Sequence, residues 1–294
     1  MREASERRLA RTMVRMTKKG VLMLSMMSAG LAHAGPERSQ VLVPAGDAQI
    51  EVIVEGAGDA VVLLPSSQRG SDDLDDVAGR IAAAGHRVLR PQPRGIGASN
   101  GSLENLSLHV LAHDVATVIR ALGKGRAIVV GHAYGHYVAR VTDLDHPELV
   151  RGVVMAAAAS PGADPALPAA LDIAADAGQP EAARLAALRQ AFFAAGSDAR
   201  PWLDGWHPEL APAYRSAAKA PARSAWWPVS HAPVLDLQAA DDPWRPRASV
   251  NEVKDVLGAK ASVVVIPGAS HALFPEQPAA VARAIVTWAA SLPR

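Results

Sequence analysis

The sequence predicts an α/β fold with a mostly parallel central sheet flanked by helices and a helical lid inserted late in the chain. Three observations carry that prediction. Apolar runs at 60–64 and 127–130 are continuous rather than alternating, and 150–156 is apolar apart from Arg151, as expected of strands buried on both faces. Segments with helical spacing lie between them, and strands alternating with helices imply right-handed crossovers in a parallel sheet. The chain is 294 residues long, 49% hydrophobic and 20% charged, which suits one soluble domain with a large core.

The first 34 residues read as an address. Arg7, Arg8, Arg11, Arg15, Lys18 and Lys19 precede an apolar run over 20–31, which ends in Ala32-His33-Ala34. A basic region, a short apolar run and an A-x-A ending describe a secretory signal peptide, and the run falls short of the roughly 20 residues that span a bilayer. An uncleaved N-terminal anchor is the alternative. The expectation is cleavage after Ala34, export to a bacterial periplasm or beyond, and no stable membrane span afterwards. A chain without cysteine fits either compartment, because a domain of this size can be held by its core alone. The net charge is +1, with much of the Arg/Lys excess in the first twenty residues, so nothing points to nucleic acid.

Residues 39–45 and 49–55 are expected to form a hairpin about Gly46-Asp47. A buried strand follows at 60–64. A helix is expected over 72–84, with Leu74, Val77, Ala78 and Ile81 on one face, then a strand at 87–89 and a long helix over 103–122. Strand, helix and strand are expected again up to 156. Between 157 and 228 the rhythm breaks into an alanine-rich, proline-punctuated stretch holding Trp202, Trp206, Tyr214, Trp226 and Trp227, with a helix over 181–195. This reads as a lid at 158–228, inserted into a core formed by 35–157 and 229–294. Its tryptophans either line an apolar substrate pocket or glue the lid to the sheet. A strand at 233–239, a helix at 248–257, a strand at 262–266 and a helix at 276–292 close the fold.

The motif that organises these elements is Gly131-His132-Ala133-Tyr134-Gly135. It sits where a β-branched strand turns sharply into a helix, and its glycines suit a strained turn that side chains would obstruct. It resembles the nucleophile elbow of the α/β-hydrolase family, G-x-S-x-G, with alanine at the central position. Ala133 has only a methyl group, which neither attacks a carbonyl nor donates a hydrogen bond. Three further stretches are similar to family motifs. Val61-Val62-Leu63-Leu64-Pro65-Ser66-Ser67 matches the oxyanion loop loosely, with Pro65-Ser66 in place of His-Gly. Arg94-Gly95-Ile96-Gly97-Ala98-Ser99 is similar to R-G-x-G-x-S and reads as a turn that shapes the fold. Finally, Asp242 before Pro243, with Asp241 next in line, and His271 after the last strand follow the elbow in the family's chain order.

The resemblance implies that Asp242 orients His271, that His271 shuttles a proton, and that backbone N–H groups of Tyr134, Ser66 and Ser67 stabilise an oxyanion. Ser67, or Ser66, is a candidate displaced nucleophile, and direct activation of water by His271 is the other route. The expected function is hydrolysis of a small, fairly apolar ester-like substrate. A silent pseudoenzyme or small-ligand-binding protein on the same scaffold is the alternative, and a serine-to-alanine replacement in an ordinary esterase is a third. No cofactor is implied, because neither glycine loop has a phosphate-cradling pattern. His132 is expected to pack, while His136 faces either pocket or core. His109 and His113 have zinc-compatible i, i+4 spacing but no third ligand nearby. Asp72, Asp73, Asp75 and Asp76 read as a solvated helix start.

Overall fold

Gly46, at φ +62°, turns the chain between β1 (Arg38–Ala45) and β2 (Ala48–Glu55), which pair antiparallel with Ala45 opposite Ala48. The computed structural model describes residues 38–293; the signal-peptide expectation for 1–34 lies outside the described residues. The next strands are β3 (Ala60–Leu64), β4 (Arg87–Pro91), β5 (Ala127–His132), β6 (Val150–Ala156), β7 (Val234–Ala239) and β8 (Ala261–Ile266). They form one eight-stranded sheet in the order β1-β2-β4-β3-β5-β6-β7-β8, parallel from β4 onward.

Alternate residues of the central strands feed two cores, which is why their sequences are apolar without a break. Val62, Leu64 and Val129 face α2 (Leu108–Leu122) and α3 (Gly135–Asp145). Val61, Leu63, Ile128 and Val130 face the opposite layer, formed by α1 (Asp75–Ala83) and α10 (Pro278–Ser291).

The helix expected over 103–122 starts at Leu108 because Ser107 caps it, its Oγ accepting from the Val110 N–H at 3.3 Å. Ser107→Ala should lower stability by about 1 kcal/mol, read as a shift in the urea midpoint with an unchanged slope. The helix expected from 72 begins as a 3-10 turn, Ser71–Leu74, before α1. Its acidic cluster is partnered by arginines: Asp73 with Arg69, Asp75 with Arg38 and Arg90, Asp76 with Arg80.

The β6–β7 connection carries α4 (Leu167–Ala175), α5 (Glu181–Ala191), α6 (Ala211–Ala217) and α7 (Arg223–Trp226). The helix expected to run to 195 ends at Ala191, where Phe192 leaves the helical path and its carbonyl accepts from Ala272 N. Two side chains of α3 hold the return of this segment to the sheet. The Arg140 Nη2 donates to the carbonyls of Trp226 and Trp227, and the Asp143 carboxylate accepts from the N–H groups of His231 and Ala232. The helix expected at 248–257 shortens to α8 (Glu252–Leu257) after a 3-10 turn. The last expected helix divides into α9 (Leu273–Glu276) and α10, because Pro278 is suited to a helix start rather than an interior. Among the described residues no helix is long and apolar enough to cross a membrane.

Candidate active site

The turn from β5 into α3 shows why two positions must be glycine. A Cβ on Gly131 would lie 2.2 Å from the Gly135 carbonyl carbon and 2.3 Å from the His136 nitrogen, while one on Gly135 would meet the Leu64 and Pro65 carbonyl oxygens at 2.7 Å. Between them Ala133 adopts φ +45°, a conformation non-glycine residues rarely hold without surrounding support. That support is visible. Its N–H donates to Ala156 O at 2.8 Å, and its carbonyl accepts from His136 N at 3.0 Å and from the His136 imidazole. The elbow geometry is complete, and a methyl group stands at its tip.

Asp242 and His271 lie on the loops following β7 and β8, at the strand ends where the elbow also projects. The His271 Nδ1 lies 3.1 and 3.0 Å from the two oxygens of Asp242, whose side chain is fully buried and also accepts from Trp244 N at 2.9 Å. Of the two adjacent aspartates, the structure therefore brings Asp242 to the imidazole; Asp241 is exposed and 4.0 Å from Arg247. The carboxylate orients the ring, so that Nδ1 donates and Nε2 keeps its lone pair. Nε2 makes no hydrogen bond among the described residues, and the side chain retains 6% exposure.

Two groups hold the His271 loop in place. His132 Nε2 donates to the His271 carbonyl at 2.7 Å, and Glu276 accepts from Ser270 N at 2.6 Å and Ala194 N at 2.7 Å. Burial pulls the pKa values of His132 and His136 down to about 3, so both are neutral near pH 7. His132 thus packs, as expected. His136 turns inward: its Nδ1 donates to Ala133 O, its Nε2 is buried without a partner, and its ring packs on Tyr137 and Trp226.

Aromatic rings wall the histidine. Phe192 and Trp244 have centroids 5.7 and 5.3 Å from His271, and neither was expected from the sequence. Trp202 lies 6.4 Å from His132 and 5.9 Å from Trp206, which brings that pair to the same wall. The other pair takes the second of the two roles the sequence left open. Trp226 packs on Tyr137 at 5.3 Å and the Trp227 carbonyl accepts from Arg140 at 2.8 Å, so both fasten the connection onto α3 rather than line a pocket beside His271.

The loop after β3 places Ser66 and Ser67, both half-buried, beside the elbow, as the close approach of Gly135 to Leu64 and Pro65 requires. Neither hydroxyl is hydrogen-bonded to His271 among the described residues. The backbone N–H groups of Ser66, Ser67 and Tyr134 likewise have no protein acceptor among the described residues, leaving three donors available where the loops meet. Arg69 pins the loop. Its guanidinium is bidentate to Asp73, donates to Asp204 O at 2.7 Å, and lies 4.5 and 4.7 Å from the rings of Trp202 and Trp206.

Beside Ser66, Tyr134 and Gly135 opens a cavity of about 60 Å³, continued by Leu64, Ile96, Leu111, Val115, Val138 and Leu210. The Arg94-Gly95-Ile96-Gly97 turn shapes one wall, with Arg94 locked bidentately to Asp114 at 2.7 and 3.0 Å. On the far surface, His109 pairs with Asp145 and His113 packs on His146. Among the described residues no group of three or more His, Asp or Glu could hold a metal ion.

Comparison with known proteins agrees with this architecture. A 75-residue stretch is 37% identical to bifunctional epoxide hydrolase 2 of Sus scrofa, covering 25% of this chain but only 14% of that one. The fold is similar to that of E-2-(acetamidomethylene)succinate hydrolase, with a TM-score of 0.72 and 19% identity over 87% of this chain and 100% of the other. It is also similar to an esterase from Exiguobacterium antarcticum, with a TM-score of 0.70 and 19% identity over 86% of this chain and 100% of that one. The profile of the alpha/beta hydrolase family matches residues 61–284, spanning the parallel sheet, the elbow and the Asp242–His271 pair, and the chain belongs to that family.

Proposed function

We propose that this protein is an exported hydrolase of small, fairly apolar ester-like substrates, in which His271 activates water directly. The observation that carries this reading is the buried Asp242–His271 pair, with Nε2 of His271 unengaged beside the elbow. Such a pair contributes little to packing and suits a general base. In the proposed step, Nε2 takes a proton from water as the water oxygen bonds to the substrate carbonyl carbon. The resulting oxyanion is held by the N–H groups of Tyr134 and of the Ser66/Ser67 loop. The imidazolium then gives its proton to the leaving oxygen as the C–O bond breaks, releasing acid and alcohol.

Water is preferred over a displaced Ser67 because Ser67 makes no hydrogen bond to the base. The segment 158–228 serves as the lid, with Trp202 and Trp206 beside the site, and the basic and apolar features of 1–34 support export. The elbow tip carries no carboxylate, so the epoxide chemistry named for the pig relative does not transfer to it. Ala133 favours a second reading, a scaffold that binds a small ligand without turning it over.

The test is hydrolysis of chromogenic short-to-medium acyl esters by the chain from residue 35, beside His271→Ala, Ser67→Ala and Ala133→Ser. Turnover that falls by about two to four orders of magnitude in His271→Ala and persists in Ser67→Ala supports the water route. Undiminished turnover in His271→Ala would sink it. Silence of the native chain, with activity gained in Ala133→Ser, would favour the binding scaffold.

A further inference from the structure

The cavity beside the elbow is small, and its charges are already spent. The cavity of about 60 Å³ is less than half the ~150 Å³ of an apolar cavity that admits benzene, so it suits a short chain and not a long one. Its charged wall residues, Arg94 and Asp114, neutralise one another. The hydroxyls of Tyr134 and Tyr214 donate to the carbonyls of Tyr214 and Arg94, both at 3.0 Å. Ser66 and Gln68 are the neutral polar residues of the wall whose side chains make no hydrogen bond among the described residues, and both stand on the oxyanion loop. A ligand therefore meets neutral polar groups at the elbow end and hydrocarbon beyond it.

The far wall is fixed rather than pliant. Leu210, which precedes α6, sits against the turn at Gly95, where an added Cβ would meet its Cδ2 at 2.7 Å. The two tyrosine hydrogen bonds tie α6 to both the elbow and the Arg94 turn. We propose that this cavity takes one short, uncharged acyl chain of about two to four carbons, and that Leu210, with Ile96, sets its length limit. This deepens the hydrolase reading, but the cavity's selectivity does not depend on turnover.

Two measurements separate the claims. The first is turnover of p-nitrophenyl acetate, butyrate, hexanoate and decanoate by the native chain and, if that is silent, by Ala133→Ser. The second is saturation-transfer NMR of methyl butyrate, methyl hexanoate, methyl decanoate and monomethyl succinate with the native chain, which needs no chemistry. Butyrate should exceed decanoate by about tenfold or more in either readout, and monomethyl succinate should give little saturation because its carboxylate would enter a cavity whose one cationic wall residue among the described residues, Arg94, is already paired with Asp114. Leu210→Ala should move the optimum to hexanoate, and Ile96→Ala carries the same test if the first variant does not fold. Equal response to decanoate and butyrate, an unchanged profile in the folded enlargement variant, or binding of monomethyl succinate would overturn the proposal. Silent enzymes with the NMR selectivity intact would reject hydrolysis while leaving the chain-length assignment standing.

Discussion

Gly131→Ala should destabilise the fold by about 3 kcal/mol or more, the upper range of overpacking. The added methyl would lie 2.2 Å from the carbonyl carbon of Gly135, closer than real Cβ contacts come, and the three nearest atoms it meets are all backbone. Relief would require α3 to move off β5 by nearly an ångström. The helix is also packed against the Leu64 and Pro65 carbonyls through Gly135, so it has nowhere to go. Gly79→Ala is the matched control. That glycine lies within α1 with nothing near its absent Cβ, so alanine there should stabilise by about 0.5–1 kcal/mol. Urea unfolding of both variants checks the pair, and a Gly131→Ala protein with a native midpoint would contradict the geometry.

Acid should unfold this protein well above the pH at which exposed carboxylates titrate. His132 and His136 have folded pKa values pulled by burial from 6.5 to about 3. Between those values the unfolded chain binds protons that the folded chain refuses, so stability is fully present above pH 6.5 and is lost as pH falls toward 3. Each histidine contributes a slope of up to about 1.4 kcal/mol per pH unit in that window. Asp114 and Asp236 act in the opposite sense, because burial raises their pKa values and the fold takes up their protons early, which offsets part of the loss. His136→Leu should remove about half of the histidine slope. The pH dependence of the urea-derived free energy, measured from pH 4.5 to 7.5, reads this directly; an unchanged slope in that variant would reject the assignment to His136.

Much of the fold was legible because steric and burial rules act locally. The doubly buried strands β3 and β5 announce themselves through unbroken apolar runs, and the elbow through two glycines whose missing side chains would strike backbone. The Asp242–His271 pair could be placed by chain order, but Asp241 and Asp242 differ only in which way one residue of a loop points. That direction is set by the Trp244 N–H and the buried imidazole, neither of which leaves a periodic trace in sequence. The tryptophans were ambiguous for a similar reason. An indole fills a substrate wall or a structural seam equally well, and what divides Trp202 and Trp206 from Trp226 and Trp227 is the path of the chain. Trp244, Phe192 and Glu276 were missed; the phrase Asp242-Pro243-Trp244 carried the available hint, an aromatic next to the acid.

Arg69 belongs at once to the loop that bears Ser66 and, through its stack with Trp202 and Trp206, to the far connection. The Gln68 carbonyl, accepting from His207 N at 2.9 Å, stitches the same two segments along their backbones. Mechanically they are one part with two sequence addresses. Peeling the connection away would unstack a guanidinium whose charge is balanced by Asp73, so the donors beside the elbow and the cover above them must keep or lose their places together.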